Sequence, residues 1–133
     1  MFTTRDVIPF DITSGELLRR YAQGERDFPG AVLRYANLGG ANLAGINLFG
    51  ARLQGAYLHG ANLAGAYLSF ASLERADLSG ADLERANLAC ARLVDAHLDS
   101  ANLRHANLDH AILVNAVLDG AQLEGASMRG VQR

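Results

Sequence analysis

The sequence predicts an all-β solenoid, a coil in which the chain turns a corner after every five residues. Three regularities support this fold class: a leucine recurs every five residues, an alanine lies two residues before it, and a glycine often lies two residues after it. The leucines run from Leu33 to Leu123, and Met128 closes the series. The length of 133 residues suits one domain, and half of these residues are apolar, which is enough for a modest core.

A five-residue period excludes the ordinary regular structures. On an α-helix, five steps of about 100° would turn each leucine by roughly 140° from the last, so no apolar stripe would form. On a flat strand, an odd period would send successive leucines to opposite faces. Within one repeat, however, the alanine and the leucine are two apart and share a face, as in a short extended segment. A corner after each segment lets every pair point inward.

The repeats extend over most of the chain. Phe28 is the first centre, although Arg26 stands where alanine is expected, and Ile46 is the other departure from the alanine rule. The 105 residues from 26 to 130 therefore hold 21 repeats. The residue between alanine and leucine is often Asn or Asp, whose side chain can bond turn amides, while glycine relieves backbone strain at the corner.

This pattern resembles the pentapeptide-repeat family. The stretch A-N-L-G-G-A-N-L-A-G at 36–45 shows the repeat A-(N/D)-L-x-G, and the resemblance covers about four-fifths of the chain. The resemblance implies a right-handed quadrilateral parallel β-helix of about five coils, with twenty residues per coil. Residues twenty apart would then stack in columns, so each leucine would lie on the leucine of the next coil. Burial of such a side chain contributes about 1.5–3 kcal/mol before entropy is subtracted.

The N-terminal segment, residues 1–25, precedes the repeats and contains a predicted helix at about 13–24. Thr13 and Glu16 have the spacing of a capping box. We expect this helix to cover the first coil, since an open solenoid end exposes both a ladder edge and stacked leucines. Residues 7–10 are expected to pack nearby or to form an edge strand.

The C-terminal end has no comparable element. The repeats occupy 26–130, and residues 131–133 are interpreted as a short tail. Ile112, Val114 and Val117 occupy outward positions in the last coil, where polar residues are usual. An uncovered edge with outward aliphatic residues predicts homodimerisation through the C-terminal coil. A fraying last coil or a truncated longer chain would explain the same pattern.

The outward charges are distributed by side. The side centred on Leu38 and its stack has aspartate but no arginine: Asp77, Asp99 and Asp119. The preceding side, centred on Leu33, is mildly basic: Arg34, Arg52, Arg75 and Arg92 against Glu74 and Asp95. Opposite charges in the same columns predict weak ladder pairs: Glu84–Arg104–Glu124, Arg75–Asp95 and Asp109–Arg129.

Three aromatic residues are predicted to point outward on or near one side. They are Phe49, Tyr67 and Phe70. Exposed aromatic residues often mark contacts with a partner. The alternative is that the N-terminal segment folds over them.

The sequence has no pattern typical of an enzyme or a cofactor site. Cys90 and His110 share a column and Asp109 is adjacent, but an outward corner on a convex surface supplies no oxyanion hole. A structural zinc site needs about four ligands, and the histidines are dispersed. The glycines follow the five-residue period, so they do not form a phosphate-binding loop. We therefore expect no catalytic, metal or cofactor-binding residues.

The favoured function is a non-enzymatic structural or protein-interaction module whose partner is unknown. The alternative, from the family resemblance, is a DNA mimic that binds DNA gyrase and protects or inhibits it. Mimicry requires dense negative charge, and three aspartates on one side are few. A net charge of −2 does not favour direct nucleic-acid binding, and no apolar run is long enough to span a membrane. The single cysteine is compatible with a reducing compartment, so a cytoplasmic location is expected.

Overall fold

A computed structural model describes residues 7–133 of the chain. It contains a short strand β1 (Phe10–Asp11), a helix α1 (Ser14–Ala22) and a second strand β2 (Ala31–Val32). Strands β1 and β2 pair in parallel, with Phe10 opposite Ala31. The repeats form parallel bridges between residues twenty apart, from Asp27↔Asn47 to Ile112↔Gln132. Within the described range, no helix is long and apolar enough to cross a membrane.

The backbone ladder defines a β-helix with four sides. Every twenty residues contain four bridges, one just before each central leucine. Arg92 illustrates the pattern: its N–H donates to Ala71 O at 3.0 Å, while Leu93 N–H donates to Ile112 O at 2.7 Å. Each inner coil is therefore bonded to the coils on both sides of it.

The four sides are numbered in chain order starting from the repeat centred on Leu33. The first side is centred on Leu33, Leu53, Leu73, Leu93 and Leu113. The second is centred on Leu38, Leu58, Leu78, Leu98 and Leu118. The third is centred on Leu43, Leu63, Leu83, Leu103 and Leu123. The fourth is centred on Phe28, Leu48, Leu68, Leu88, Leu108 and Met128.

The core consists of the predicted alanine and leucine columns. Leucine centres from Leu33 to Leu113 are at most 3% exposed, and alanines from Ala51 to Ala111 are at most 1% exposed. Ile46, the exception to the alanine rule, is also fully buried. The prediction that both residues of each repeat point inward is confirmed.

Each corner is a β-turn that needs a left-handed residue at its third position. In the turn from Leu33 to Ala36, Ala36 N–H donates to Leu33 O at 3.1 Å, and Tyr35 has φ = 60°. A positive φ at this position is the requirement of a type II turn. Across the 21 corners, eleven such positions are glycine and ten have a side chain.

The Asn and Asp residues of the repeats stabilise the same corners. Phe49 N–H donates to Asn47 Oδ1 at 3.0 Å, and Glu84 N–H donates to Asp82 Oδ1 at 3.0 Å. Side chains twenty residues apart also bond along a column, since Asn102 Nδ2 donates to Asp82 Oδ1 at 3.1 Å. These residues have the turn-stabilising role expected from the repeat.

The corner geometry predicts opposite effects for two glycine-to-alanine changes. Gly60 has φ = +65° and open space where a methyl group would lie, so Gly60→Ala should destabilise the protein by about 1–2 kcal/mol through backbone strain alone. Gly15 lies in α1 with equally open space, so Gly15→Ala should stabilise the protein by about 0.5–1 kcal/mol. Urea unfolding midpoints measure both effects, and equal shifts of one sign would contradict the explanation.

Helix α1 packs against the N-terminal end of the β-helix. Thr13 Oγ1 accepts from Glu16 N–H at 3.1 Å, which is one of the two bonds of the predicted capping box, while the Glu16 carboxylate pairs with Arg19. Leu17 is fully buried in the core, and Tyr21 OH donates to Ala44 O at 2.6 Å. The helix is shorter than the predicted 13–24, because Gln23 is its C-cap and Gly24 adopts φ = +100°.

The C-terminal end differs from the prediction in one respect. The residues interpreted as a tail, 131–133, continue the ladder: Gln132 N–H donates to Ala111 O at 3.0 Å, and Leu113 N–H donates to Gln132 O at 2.6 Å. Gln132 has the same relation to Ile112 that Ile112 has to Arg92. The repeat geometry therefore extends past residue 130, since the backbone bonds do not require the alanine and leucine pattern.

Candidate interaction surfaces

The predicted aromatic residues lie on the fourth side and at the corner that follows it. The Phe49 and Phe70 rings are 5.6 Å apart between centroids and tilted by 54°. Phe70 is 46% exposed and Tyr67 is 55% exposed, while Phe49 is half-buried. The structure therefore brings Phe49 and Phe70 together and leaves Tyr67 exposed to solvent.

The N-terminal segment covers part of this aromatic region. Val7 Cγ1 lies 3.3 Å from the position that a Cβ on Gly50 would occupy. Val7 and Pro9 line a shallow cavity of about 170 Å³ together with Gly50, Arg52 and Phe70. The N-terminal segment thus reaches the patch but leaves Phe70 accessible, and contact with a partner stays a prediction.

The aliphatic residues of the last coils are only half-exposed. Ile112, Val114 and Val117 each keep part of their surface accessible. Ile112 is bridged to Arg92 and Gln132, and Val117 is bridged to His97. Their side chains lie in outward columns, where stacked neighbours shield one edge.

The ladder ion pairs agree with the predicted columns in part. The pairs between adjacent coils are Arg129–Asp109 (3.0 Å), Arg104–Glu124 (3.5 Å) and Arg92–Glu74 (3.7 Å). Glu84 pairs with its chain neighbour Arg85 at 3.3 Å rather than with Arg104. Among the described residues, Arg75 and Asp95 form no ion pair, so that prediction was wrong. Both side chains are exposed at the corners, where solvent screens the attraction and the loss of side-chain entropy opposes a fixed pair.

The second side has an acidic surface with histidines but no arginine. His97 Nδ1 lies 3.8 Å from Asp99 Oδ1. Burial opposes ionisation of Asp77, but hydrogen bonds from the Ser79 hydroxyl (2.6 Å) and amide, with the charges of His59 and His97, lower its pKa below the usual value.

The residues Cys90, His110 and Asp109 do not form a catalytic arrangement. The Asp109 carboxylate accepts from the Ser127 hydroxyl at 2.5 Å and from the Arg129 amide and guanidinium at 3.0 Å. The His110 ring covers Gly130, where an added Cβ would clash with Nδ1. Asp109 is therefore committed to Arg129 and Ser127. Within residues 7–133, no group of three or more His, Cys, Asp or Glu residues is placed to hold a metal ion.

The environment of Asp109 predicts a pKa change in a variant. The hydrogen bond from Ser127 is the largest cause of its lowered pKa, followed after opposing desolvation by the bonds from Arg129. A carboxylate with a lowered folded-state pKa stabilises the fold above its unfolded-state pKa, and this stabilisation is lost as the pH falls through the folded-state pKa. Ser127→Ala should raise the pKa of Asp109 and reduce that acid-induced loss. An NMR titration of the Asp109 carboxyl carbon measures this, with Ser72→Ala as control; an unchanged pKa in Ser127→Ala would refute it.

Sequence reasoning missed two exposed tyrosines. Tyr35 is 67% exposed and Tyr57 is 51% exposed. The Tyr35 ring covers Gly55 of the next coil, since a Cβ there would clash with Tyr35 Cε1. Tyr35 is the fifth residue of its repeat and Tyr57 is the second. Both positions point outward, so the repeat pattern alone would have predicted that these tyrosines are exposed.

Known proteins share this repeat and its geometry. The family model described as pentapeptide repeats matches in eight copies, over residues 27–65, 51–89, 61–99 and 91–130. A search of curated proteins gave no match. The structure of alr5209, a pentapeptide repeat protein from Nostoc PCC 7120, is 36% identical with a TM-score of 0.50, covering 91% of this chain and 78% of that one.

Two further cyanobacterial structures are similar. Rfr23 from Cyanothece 51142 is 35% identical with a TM-score of 0.48, over 76% of this chain; the present chain spans 58% of Rfr23. HetL from Nostoc sp. strain PCC 7120, involved in heterocyst differentiation regulation, is 27% identical with a TM-score of 0.45, covering 91% of this chain and 94% of HetL. The family model covers most of the chain, and the chain therefore belongs to the pentapeptide-repeat family, whose members are right-handed quadrilateral β-helices.

Proposed function

We propose that this chain is a non-enzymatic module that binds another protein through its outer sides. The observation that carries the proposal is the contrast between inside and outside. The inward positions repeat alanine and leucine almost without change, whereas the outward positions differ from coil to coil and include exposed tyrosine and arginine. Pentapeptide-repeat proteins are in general structural or interaction modules. A regular rod of this kind holds its surface side chains at fixed spacing, which favours binding without large reorganisation.

Affinity capture with a surface-altered control tests this function. The immobilised chain is incubated with lysate of its source organism, and the captured protein is then purified and titrated against the chain by calorimetry. The control replaces the exposed tyrosines Tyr35, Tyr57 and Tyr67 by serine, which leaves the core unchanged. We expect a purified partner whose affinity falls in the control. Equal capture by both chains, or no binding by the purified candidate, would refute the proposal.

We propose that helix α1 caps the first coil. Leu33, Leu38 and Leu43 in that coil are at most 2% exposed, whereas Leu118 and Leu123 in the last coil are half-exposed. Leu17 enters the core next to the first coil, which accounts for this difference. The helix therefore supplies the apolar cover that the first coil would otherwise lack.

We also propose that two chains associate through their C-terminal coils. Leu118, Leu123 and Met128 present apolar surface at this end. Among the described residues, the N–H groups of these three have no hydrogen-bond acceptor, although the corresponding groups of inner coils do. A second copy related by a two-fold axis would supply both apolar surface and carbonyl oxygens.

Light scattering coupled to size-exclusion chromatography tests this association. We expect twice the monomer mass of 14.2 kDa for the chain, and the monomer mass for Leu123→Glu. Tyr57→Glu places the same charge on an exposed side far from this end and should remain dimeric. A monomer mass for the unaltered chain at high concentration would end the proposal.

Gyrase binding is the second candidate function. It is favoured by one observation, the absence of arginine from the side that presents Asp77, Asp99 and Asp119. A supercoiling assay with purified gyrase tests it. Inhibition, or protection from a quinolone, that disappears in a variant with all three aspartates changed to asparagine would support mimicry. No effect of the chain at micromolar concentration would remove this candidate.

A further inference from the structure

Carboxylates without an arginine partner are concentrated on the second side. All five glutamates of the chain form ion pairs with arginine. Among the described residues, by contrast, Asp77, Asp99 and Asp119 on the second side form no ion pair with arginine. Asp95, at the corner where this side begins, has no such partner in the described range either. This part of the rod is therefore negatively charged and attracts cationic groups.

Exposed aromatic rings lie in line with these carboxylates. Tyr57 is exposed and is bridged to Asp77 in the next coil, which is bridged in turn to His97. The exposed Tyr35 ring covers Gly55, two residues before Tyr57. The faces of tyrosine rings attract guanidinium and ammonium groups. A long cationic side chain that lies along this side can therefore contact a ring and a carboxylate on neighbouring coils.

The length of this region favours a basic segment of polypeptide over a single cation. Six outward residues of the second side are called the Tyr57–Asp119 surface below: Tyr57, His59, Asp77, His97, Asp99 and Asp119. No group of three or more acidic, histidine or cysteine residues in the described range is placed to hold a metal ion. From Tyr57 to Asp119 the surface crosses three spacings between stacked strands, roughly 14 Å at about 4.8 Å each. An extended segment of four or five residues has about that length.

Histidines are the only basic residues on the second side itself. Asp77 lies close enough to both His59 and His97 to be affected by their charges, and His97 Nδ1 lies 3.8 Å from Asp99 Oδ1. Of the two corners that border this side, one has Arg75 and Asp95 as its charged residues, and the other has only glycine and serine.

The charge of this region depends on pH. With neutral histidines, the four aspartates of this side and its corner together with Arg75 give a formal charge of −3, which protonation of both histidines reduces to −1. Histidine is the residue type that gains a proton between pH 8 and pH 5, while aspartate stays ionised over most of that range. The attraction for a basic segment should therefore weaken as the pH falls.

We propose that the Tyr57–Asp119 surface docks a short basic segment of a partner protein at pH 7–8 and releases it at lower pH. Arginine or lysine side chains of the segment bind Asp77, Asp99 and Asp119, and one of them lies against the Tyr57 ring. On acidification, protonated His97 pairs with Asp99 and protonated His59 repels the segment. This inference rests on the proposed function, because it names a surface, the chemistry of the partner and a condition for binding.

Fluorescence anisotropy with a labelled oligo-arginine peptide, at fixed physiological ionic strength, tests the surface. At pH 8 we expect binding that is about tenfold weaker in Asp77→Asn/Asp99→Asn/Asp119→Asn and about threefold weaker in Tyr57→Ser. A neutral glycine-serine peptide should not bind. Asp11→Asn/Glu84→Gln/Glu124→Gln changes the net charge by the same amount on other sides, and this control should bind as the unaltered chain does.

The same measurement at pH 5.5 tests the pH dependence. We expect the unaltered chain to bind the peptide several-fold more weakly than at pH 8, and His59→Asn/His97→Asn to lose most of this difference. His105→Asn/His110→Asn removes two histidines from other parts of the rod and should keep the full difference. The peptide has no group that titrates in this range, so a change in affinity reports on the chain.

Several outcomes would overturn the inference. They are no binding of the oligo-arginine peptide at pH 8, equal weakening in the matched control variants, and equal affinity at pH 8 and pH 5.5. Circular dichroism of each variant establishes that it is folded. A partner from the affinity capture that still binds the triple aspartate variant would refute this surface but leave an interaction function in place. Peptide binding as expected, together with no partner in the affinity capture, would instead refute the wider function.

Discussion

Replacing Leu83 with alanine should destabilise the protein by about 2–5 kcal/mol. Leu83 is fully buried at the centre of the third side, in the stack with Leu63 and Leu103. Its N–H donates to Asn102 O at 2.7 Å, and Leu63 N–H donates to Asp82 O at 2.7 Å, so the coil is bonded above and below. This ladder limits collapse around the lost side chain, and a cavity should remain. Urea unfolding measures the change in the free energy of unfolding.

Leu123→Ala is the matched control for this prediction. Leu123 belongs to the same stack but is half-exposed in the last coil. At a protein concentration low enough for the chain to be monomeric, its truncation removes less buried surface and leaves no closed cavity, so we expect a clearly smaller loss of stability. Equal losses in the two variants would show that stacking between coils does not set the stability of the rod.

Ala81→Leu should destabilise the protein by the opposite mechanism, overpacking. Ala81 is 1% exposed and occupies the inward position two residues before Leu83. The inward positions of four sides converge on a narrow interior, which has no room for three more carbon atoms. Accommodation requires strained rotamers or a shifted backbone, at about 1–3 kcal/mol. The thermal unfolding temperature should fall accordingly.

Ala121→Leu tests whether confinement causes that effect. Ala121 lies in the same column as Ala81, but in the last coil it is half-exposed. In the monomer a leucine there can extend toward the open end, so at low protein concentration we expect little loss of stability or a small gain from added apolar contact. An Ala81→Leu variant as stable as the unaltered chain would mean that the interior is wider than the structure indicates.

Much of the fold was predictable because one short rule is repeated many times. A five-residue spacing of leucine, with alanine two residues before it, is compatible only with a backbone that turns at each repeat, and the buried columns confirm this. The N-terminal helix was also predicted from its capping residues, Thr13 and Glu16. Its C-terminal end was placed too late because a cap depends on local backbone angles, which Gly24 alone did not reveal.

The candidate surface was less predictable. Phe70 was expected to point outward, and it does, but Arg52 and Val7 meet beside it only because the N-terminal segment returns along the rod. The sequence also did not determine the ion pairs. Glu84 pairs with Arg85 rather than with Arg104, because long exposed side chains can reach several partners at similar free energy.

By itself, the sequence determined the period, the inward columns and the corners, because these depend on which positions in each repeat are apolar or can adopt a positive φ. The tertiary structure alone decided which outward residues from different coils and from the N-terminal segment lie together, and how far each remains exposed. The physical reason is that the hydrophobic effect buries the apolar residues of every repeat in the same way. Contacts between surface side chains depend instead on where the non-repeating segments pack against the rod.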